Sequence, residues 1–352
     1  MATESSSSRL SELGGVGCLF FFALFWSGMT LAVDFFIGRS AFHQIQALGY
    51  PVASGSVTHS EVETVSGDDG PTYRPKIRYG YTVAGKEYVG DRHRYGNWSS
   101  GGGYAHRIVA SLPVGARVEV HYAPGDPSDA VLTAGVEGMD LFFAMAILPF
   151  NLIMLALWTV IGGGVRYRLF PSPAGGGRVW EDGRYVRVRL ALGKPLYVGA
   201  GVAGLAAFVG TFVIGFGFGS DPSLPAMLVV WAVILGGGVL AGLAYGRTLA
   251  QGQSDLILDQ FRRSITLPPT LGRIQDLLIP DEKIVAIEVE RTEKRSSRGV
   301  SRAYIPTIVF TDDDGSTRRE GIVRWTWEAR AEGLASWLRE RLGIEPAASG
   351  ED

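Results

Sequence analysis

The sequence contains very little cysteine and little charge. Cys18 is the single cysteine among 352 residues, so neither an intrachain disulfide nor a cysteine-based metal site can form. Only 19% of the residues are charged and the formal net charge is −2, which gives no general electrostatic drive toward nucleic acid. A nucleophile elbow, a phosphate-binding loop and a paired-histidine zinc motif are also missing. We therefore predict no enzyme, no catalytic residue, no cofactor and no metal site.

Long apolar runs are what the chain has instead. A helix of about 20 apolar residues crosses the roughly 30 Å hydrocarbon layer of a membrane, and four runs reach that length. They cover residues 16–37, 139–165, 196–218 and 224–245. The first run is longer than a typical signal-peptide core and has only Arg9 as an upstream basic residue, so we interpret it as an anchor. The predicted fold class is a multi-pass α-helical membrane protein with four transmembrane helices.

Basic residues are distributed unevenly among the connections between these runs. Residues 166–195, between the second and third runs, are rich in arginine, whereas "GSDPS" between the third and fourth has no basic residue. Short cytoplasmic loops carry an excess of Lys and Arg, so we expect the basic connection and both termini in the cytoplasm. The expected location is a cell membrane, the cytoplasmic membrane of a bacterium, with residues 38–138 facing outward.

The outward segment, residues 38–138, is predicted to be a small β-rich domain. In "KIRYGYTV", Ile77, Tyr79, Tyr81 and Val83 alternate with basic and polar residues, as in a half-buried strand. The same period of two recurs in "GSVTHSEVETV", "KEYVG", "RVEVHY" and "AVL", which gives about five short strands.

All five histidines fall in the same outward segment. They are His43, His59, His93, His106 and His121. No two have the spacing that would aim both at one metal ion from a single element, so we predict surface histidines.

A spaced pattern of Gly, Pro and Tyr residues runs through two hairpins of this segment. It consists of Gly55, Val57, Pro75, Tyr79, Tyr81, Gly85, Tyr88, Gly90, Pro113, Gly115, Val118, Val120, Tyr122, Pro124, Asp126, Pro127, Ala130 and Leu132. In these residues the segment resembles the domain-of-unknown-function 3592 family of membrane proteins, over roughly residues 55–132 and the flanking runs. The resemblance implies a β domain held between transmembrane helices, and it implies no particular reaction.

The segment after the last apolar run is predicted to be a cytoplasmic β-sheet with a C-terminal helix. "DLILDQFRRSITL", "KIVAIEVERTEK", "AYIPTIVFT" and "RREGIVRW" have the composition of strands. Apolar residues then recur at helical spacing, at Trp327, Ala331, Leu334, Leu338 and Leu342. In element order this module resembles a pleckstrin-homology-like domain.

These patterns predict the domain boundaries. A disordered N-terminus (1–15) precedes the first run, a separate hairpin "RVWEDGRYVRVRL" lies in the basic connection (166–195), and the β/α module (246–345) precedes a short tail (346–352).

Asp34, Asp140 and Asn151, within the apolar runs, are the candidates for a polar site in the membrane. At similar depth, the two carboxylates could hold a cation or carry a proton, because ionisable groups in lipid are usually functional. Alternatively both reach the headgroup region, where Arg39 neutralises Asp34 and Asp140 lies at the positive end of its helix. Asn151 is expected to satisfy a backbone group that Pro149 frees.

Six basic residues of the cytoplasmic segments are candidates for contacting anionic lipid headgroups. They are Arg187, Arg189, Arg291, Lys294, Arg295 and Arg298. A basic residue near an anionic surface contributes about 1 kcal/mol of binding. The alternative for "ERTEKRSSRGVSR" is a solvated loop, because Glu290 and Glu293 are interleaved with its basic residues.

Small residues recur at every fourth position in the third and fourth runs. The positions are Gly199, Ala203, Ala207, Thr211 and Gly215, followed by Gly238, Gly242 and Gly246. Such stripes allow helix backbones to approach closely in lipid. We predict packing of the two runs against each other within one chain in preference to a dimer interface.

The expected function is that of a non-enzymatic scaffold, sensor or partner-binding protein of the cell envelope. Its predicted partners are the lipid bilayer, anionic lipid headgroups and an unidentified protein, with no nucleic acid. The alternative is an accessory subunit of a transporter or channel, with a polar path near Asp34, Asp140 and Asn151. Four helices with so few buried charges make a poor conduit on their own.

Overall fold

The computed structural model describes residues 2–67, 70–96, 102–169, 173–191, 193–217, 222–296 and 299–345. The chain divides into two compact units, which we describe separately. The first unit comprises Met1–Thr159 and Gly199–Leu240, and the second comprises Val160–Val198 and Ala241–Asp352.

Four of the helices are long and apolar enough to cross a membrane, as predicted. The helices are α1 (Ala2–Ala47), α2 (Gly102–Ser111), α3 (Gly138–Leu169), α4 (Pro195–Gly217), α5 (Leu224–Ala250) and α6 (Glu328–Leu342). Residues 1–15 were predicted to be disordered, whereas α1 begins at Ala2 and continues past the predicted end of the first run. No proline interrupts the chain between Ala2 and Ala47, so nothing breaks the helix there.

The first unit contains a five-stranded antiparallel sheet, which confirms the predicted number of strands. The strands are β1 (Val52–Gly67), β2 (Gly70–Val83), β3 (Lys86–Gly90), β4 (Arg117–Ala123) and β5 (Asp126–Val131), in the order β3-β2-β1-β4-β5. Ala84 and Gly85 join β2 to β3 with φ angles of 49° and 83°. Two positive φ angles are typical of the type I′ turn, whose twist matches that of a hairpin. We call this sheet and α2 the N-terminal β domain.

The core of the N-terminal β domain lies on the face of β2 that alternation predicted. Ile77, Tyr79 and Tyr81 are buried, and Tyr104 and Ile108 from α2 cover them. The Tyr79 hydroxyl lies within hydrogen-bond distance of the carbonyl oxygens of Arg92 (2.9 Å) and Ala130 (3.0 Å), which share its single proton. The hydroxyl of this buried tyrosine therefore has hydrogen-bond acceptors inside the protein. The tyrosines of β2 are part of the core of the domain.

Helices α4 and α5 are in close contact at a pair of glycines, Gly199 and Gly238. A Cβ atom added at Gly238 would lie 2.8 Å from the carbonyl oxygen of Gly199 and 3.0 Å from Cβ of Ala203. Ala203 and Ala207 are buried as well. Small residues of both stripes therefore meet where α4 packs against α5.

The described residues of the second unit form eight strands in two antiparallel sheets. The strands are β6 (Arg178–Asp182), β7 (Tyr185–Arg189), β8 (Asp255–Asp259), β9 (Ser264–Leu267), β10 (Leu277–Pro280), β11 (Ile284–Ser296), β12 (Gly299–Thr311) and β13 (Thr317–Gly321). One sheet has the order β10-β9-β8-β7-β6 and the other β11-β12-β13. Together with α6 they form what we call the C-terminal β/α domain.

The hairpin of the basic connection is not a separate element, which corrects the predicted domain boundaries. Strand β7 pairs with β8 from Arg189↔Asp255 to Tyr185↔Asp259, although α4 and α5 lie between them in the chain. Val186 and Val188 are buried in the same core as Leu256 and Leu258. Residues 178–189 therefore complete a domain whose remaining strands follow α5.

Both sheets of the C-terminal β/α domain share one core with α6. Leu334 and Leu338 of the helix are fully buried against a cluster that includes Ile265, Ile287 and Ile308. The helix ends at Gly343, which has a φ angle of 67° and serves as the left-handed cap expected of a glycine there.

Candidate functional site

Polar side chains, all but one of them buried, join the N-terminal β domain to the ends of α1 and α3. We call Gln44, His93, Arg94, Glu137 and Asp140 the junction cluster. Gln44, near the end of α1, is fully buried. Its amide nitrogen donates to the Gly135 carbonyl oxygen (3.1 Å), and its amide oxygen accepts from the Tyr95 backbone N–H (3.2 Å). One side chain thus holds the loops that follow β3 and β5.

Arg94 is the charged centre of the junction cluster. Its side chain is 4% exposed, and its guanidinium donates to Glu137 Oε2 (3.1 Å) and to the carboxylate of Asp140. Burial opposes the charged form, but the two carboxylates outweigh it and raise the pKa of Arg94 above its ordinary value. Burying these charges costs free energy that only their mutual pairing offsets.

Asp140 also closes the first turn of α3. Its carboxylate accepts a hydrogen bond from the Glu137 backbone N–H at 2.9 Å, the arrangement in which a third-position side chain satisfies an unpaired N–H at a helix start. Asp140 therefore lies at the positive end of its helix.

His93 is buried, so the prediction that all five histidines lie on the surface is wrong at this position. It is 7% exposed, and its Nε2 lies 3.1 Å from the Thr133 hydroxyl. Burial, together with the charges of Arg94 and Arg107, lowers the pKa of His93 to about 4. Sequence alone could not reveal this, because the surrounding "DRHRYGN" is polar throughout.

We expect the stability of the N-terminal β domain to fall as the pH decreases from 6.5 toward 4. In this window an unfolded histidine binds a proton while the folded His93 does not, so protons favour the unfolded state by up to roughly 3 kcal/mol. The measurement is the thermal unfolding midpoint of the full chain in detergent against pH. His93→Gln should reduce the slope, whereas His106→Gln, at an exposed position, should not. Equal slopes for all three proteins would contradict the assignment.

The structure brings two of the three predicted membrane polar residues together. Asn151 Nδ2 of α3 donates to Asp34 Oδ1 of α1 at 3.0 Å, so the amide binds this carboxylate instead of a backbone group freed by Pro149. Asp140 does not join them, because its carboxylate is bound to Arg94.

The side of α1 that contacts α3 is polar along several turns. Ser27 and Thr30 are 9% and 2% exposed, whereas most of the phenylalanines of α1 are exposed. Trp158 of α3 donates to Ser27 Oγ at 2.8 Å, and Trp26 donates to the Phe150 carbonyl oxygen at 3.1 Å. Side-chain hydrogen bonds therefore hold α1 to α3 from Trp26 to Asp34.

Three of the six predicted headgroup contacts have described side chains, and two of these have acidic partners within the protein. Arg189 contacts Asp255 Oδ1 (3.3 Å) and donates to the Leu249 carbonyl oxygen (2.9 Å), while Arg291 pairs with Glu293 (2.8 Å). Arg187 lies over the Tyr185 ring, with its Nε buried. Arg189 is thus engaged by its own domain because Asp255 faces it across the β7–β8 pair. The side chains of Lys294 and Arg295, and the whole of Arg298, lie outside the described residues.

An open groove of about 690 Å³ lies on the solvent face of the five-stranded sheet. Its floor is made of small residues on the central strands, among them Ser54, Ser56 and Gly80, and longer side chains such as Glu87 on β3 and Arg117 on β4 line its sides. Successive residues of a strand point to opposite faces of the sheet. The tyrosines therefore face the core while these short side chains face the solvent.

The N-terminal β domain matches a known protein family. Residues 53–137 match the family described as Domain of unknown function (DUF3592). The DUF3592 match confirms the resemblance over the β domain but does not extend into the flanking apolar runs, and it covers about a quarter of the 352 residues. No curated protein and no solved structure matches the chain.

The DUF3592 match contains part of the junction cluster and not the rest. His93, Arg94 and Glu137 fall inside it, while Gln44 and Asp140 belong to α1 and α3 on either side. Sequence reasoning identified Asp140 but missed Gln44 and Arg94, because the segments around these two residues carry no pattern that indicates burial. Among the described residues, no group of three or more His, Cys, Asp or Glu is arranged to hold a metal ion.

Proposed function

We propose that this chain is a non-enzymatic scaffold or sensor of the cell envelope whose N-terminal β domain binds a partner protein. The junction cluster is the observation that carries the proposal. Gln44 and Arg94 connect loops of the β domain to the ends of α1 and α3 through buried hydrogen bonds. A partner that shifts the sheet would therefore displace the helix ends, because buried polar contacts break only at a high cost.

The groove on the solvent face of the sheet is the proposed binding surface. It carries charges of both signs, with Glu87 along β3 and Arg117 and Glu119 along β4. Its short central side chains leave room above β1 and β2 for an incoming side chain or segment. We propose a protein partner with exposed charged groups that complement these two rims.

We further propose that α1, α3, α4 and α5 cross a cytoplasmic membrane, with both termini in the cytoplasm and the N-terminal β domain outside. Exposed basic residues support this orientation, since Arg166, Lys194 and Arg247 lie at the helix ends that lead into or out of the C-terminal β/α domain. An excess of Lys and Arg next to membrane spans is typical of the cytoplasmic side.

A bulky side chain introduced into the groove should prevent binding of the partner protein. We expect a partner protein to co-purify with the unmodified full chain from its native membrane in mild detergent. The Ser56→Trp variant should not co-purify with that partner, because Ser56 lies in the groove. Thr64→Trp is the matched control, since Thr64 is an exposed position on the same strand outside the groove lining. Co-purification followed by mass identification measures this. Equal recovery from both variants, or no recovered protein from the unmodified chain, would contradict the proposal.

A second candidate function, as an accessory subunit of a transporter or channel, is favoured by the contact between Asp34 and Asn151. An ionisable residue within a membrane span is a candidate for a cation or proton path. Proton or cation flux through the purified protein in vesicles, lost in Asp34→Asn, would support this candidate. Vesicles that leak no faster than empty ones would rule it out.

A further inference from the structure

One end of the five-stranded sheet in the C-terminal β/α domain adjoins the ends of the apolar helices. Strand β6 follows α3, β7 ends shortly before α4 begins, and β8 begins shortly after α5 ends. The Leu190 backbone N–H donates to the Ser254 carbonyl oxygen at 3.1 Å, and Arg189 reaches the Leu249 carbonyl oxygen. This end of the sheet is therefore the one nearest the end segments of α3, α4 and α5 that belong to the same unit.

The loop between β9 and β10, residues 268–276, lies at that same end. The register places Arg189 opposite Asp255, and Leu267, where β9 ends, opposite Leu277, where β10 begins. Strand β9 is the direct neighbour of β8, and adjacent strands are about 5 Å apart. The β9–β10 loop thus starts one strand away from the chain segment that leaves α5.

The β9–β10 loop presents apolar side chains to the outside. Ile274 is 92% exposed and Leu271 is 46% exposed. The loop is nevertheless well anchored, because the Arg273 guanidinium donates to Glu320 (2.7 Å) and to the Gly321 carbonyl oxygen (3.1 Å), and the Thr270 hydroxyl donates to the Ile322 carbonyl oxygen (2.6 Å). These bonds hold the loop against β13 while Ile274 projects away from the domain.

We propose that the β9–β10 loop is an interfacial anchor that inserts Ile274 into the lipid surface at which α3, α4 and α5 end. The inference rests on the proposed membrane location of those helices. Lys194 and Arg247 are exposed at the adjoining helix ends, where they would meet phosphate groups while Ile274 reaches the upper acyl chains. The β9–β10 loop lies at the same end of the domain as three helix ends. For this reason we assign the bilayer, and not a soluble protein, as the surface that Ile274 contacts.

The opposite end of the same sheet supplies a matched comparison. Phe261, in the turn between β8 and β9, is 84% exposed, and it lies at the end where Asp259 pairs with Tyr185. Strand β8 separates this turn from α5, so the proposal places Phe261 in water. Two apolar residues of similar exposure are thus predicted to have opposite surroundings.

The test uses the full chain in a Cys18→Ser background with one new cysteine at a time, labelled with an environment-sensitive fluorophore. The positions are Ile274→Cys in the loop, Phe261→Cys at the far end, and Leu205→Cys at an exposed site of α4. Each protein is reconstituted into vesicles of phosphatidylcholine and phosphatidylglycerol, with and without brominated acyl chains. We expect blue-shifted emission and quenching by the brominated lipid at positions 205 and 274, and aqueous emission without quenching at 261.

Three other combinations of results at positions 205, 261 and 274 would contradict the proposal. Quenching at 205 with aqueous emission at 274 would overturn the anchor while leaving the membrane location standing. Equal quenching at 261 and 274 would also overturn it, because the loop would then be no closer to lipid than the far turn. Absence of quenching at 205 would overturn the membrane location and the anchor together.

Discussion

Replacing Arg94 with methionine is expected to destabilise the N-terminal β domain by about 3–5 kcal/mol, because removing one partner of a buried ion pair leaves the other charge uncompensated. Methionine preserves much of the length of the side chain and removes its charge. The Asp140 carboxylate, 7% exposed, and the nearby Glu137 carboxylate would then face each other without a counterion. Thermal unfolding of the full chain in detergent measures the loss.

Arg92 provides the control for this substitution. It also pairs with a carboxylate, Asp129, at 2.6 Å, but its side chain is 46% exposed. An exposed ion pair contributes about 0–1 kcal/mol, so Arg92→Met should have a small effect. Adding Asp140→Asn to Arg94→Met should recover part of the loss, since it removes one stranded charge. If the two arginine variants unfold at the same temperature, the junction cluster does not connect the domain to the helices as proposed.

Replacing Gly238 with leucine is expected to disrupt the packing of α4 against α5. The new Cβ would lie 2.8 Å from the Gly199 carbonyl oxygen, which is backbone and cannot move aside as a flexible side chain could. Overpacking costs about 1–3 kcal/mol where neighbours can adjust, and we expect the upper end of that range or more here. The measurement is the thermal unfolding midpoint, together with the fraction of monodisperse protein in size-exclusion chromatography.

The neighbouring glycine is the matched control for Gly238→Leu. A Cβ atom at Gly237 would meet nothing within 4 Å, so Gly237→Leu adds the same apolar side chain to the same helix without an obstruction. We expect Gly237→Leu to behave like the unmodified chain. If both variants lose folded protein, the cause is the added leucine side chain itself and not the close contact between α4 and α5 at Gly238.

Local patterns in the sequence were sufficient to predict the N-terminal β domain and the four apolar helices. Alternation around Tyr79 and Tyr81 identified the buried face of β2, because a half-buried strand has to expose every second residue. Helix α2 was missed, since its two core residues, Tyr104 and Ile108, follow a glycine-rich stretch that resembles a loop.

Contacts between distant residues could not be predicted in the same way. The pairing of β7 with β8 joins segments separated by two helices, and no local pattern encodes such a register. The bond between Asn151 and Asp34 joins two helices across 117 positions of the chain, so sequence identified both residues without their contact. His93 was misjudged because its burial comes from neighbours supplied by other segments.

The division of the C-terminal β/α domain by α4 and α5 has a consequence for its synthesis. Strand β7 ends at Arg189 and its partner β8 begins at Asp255, so both helices are translated before that pair can form. At roughly 5–20 residues per second the delay is about 3–13 s. During this time β7 presents an open edge, which is a template for wrong pairing. Completion of this sheet thus requires that both helices have been made and that α5 has brought the chain back to the end of α4 that follows β7.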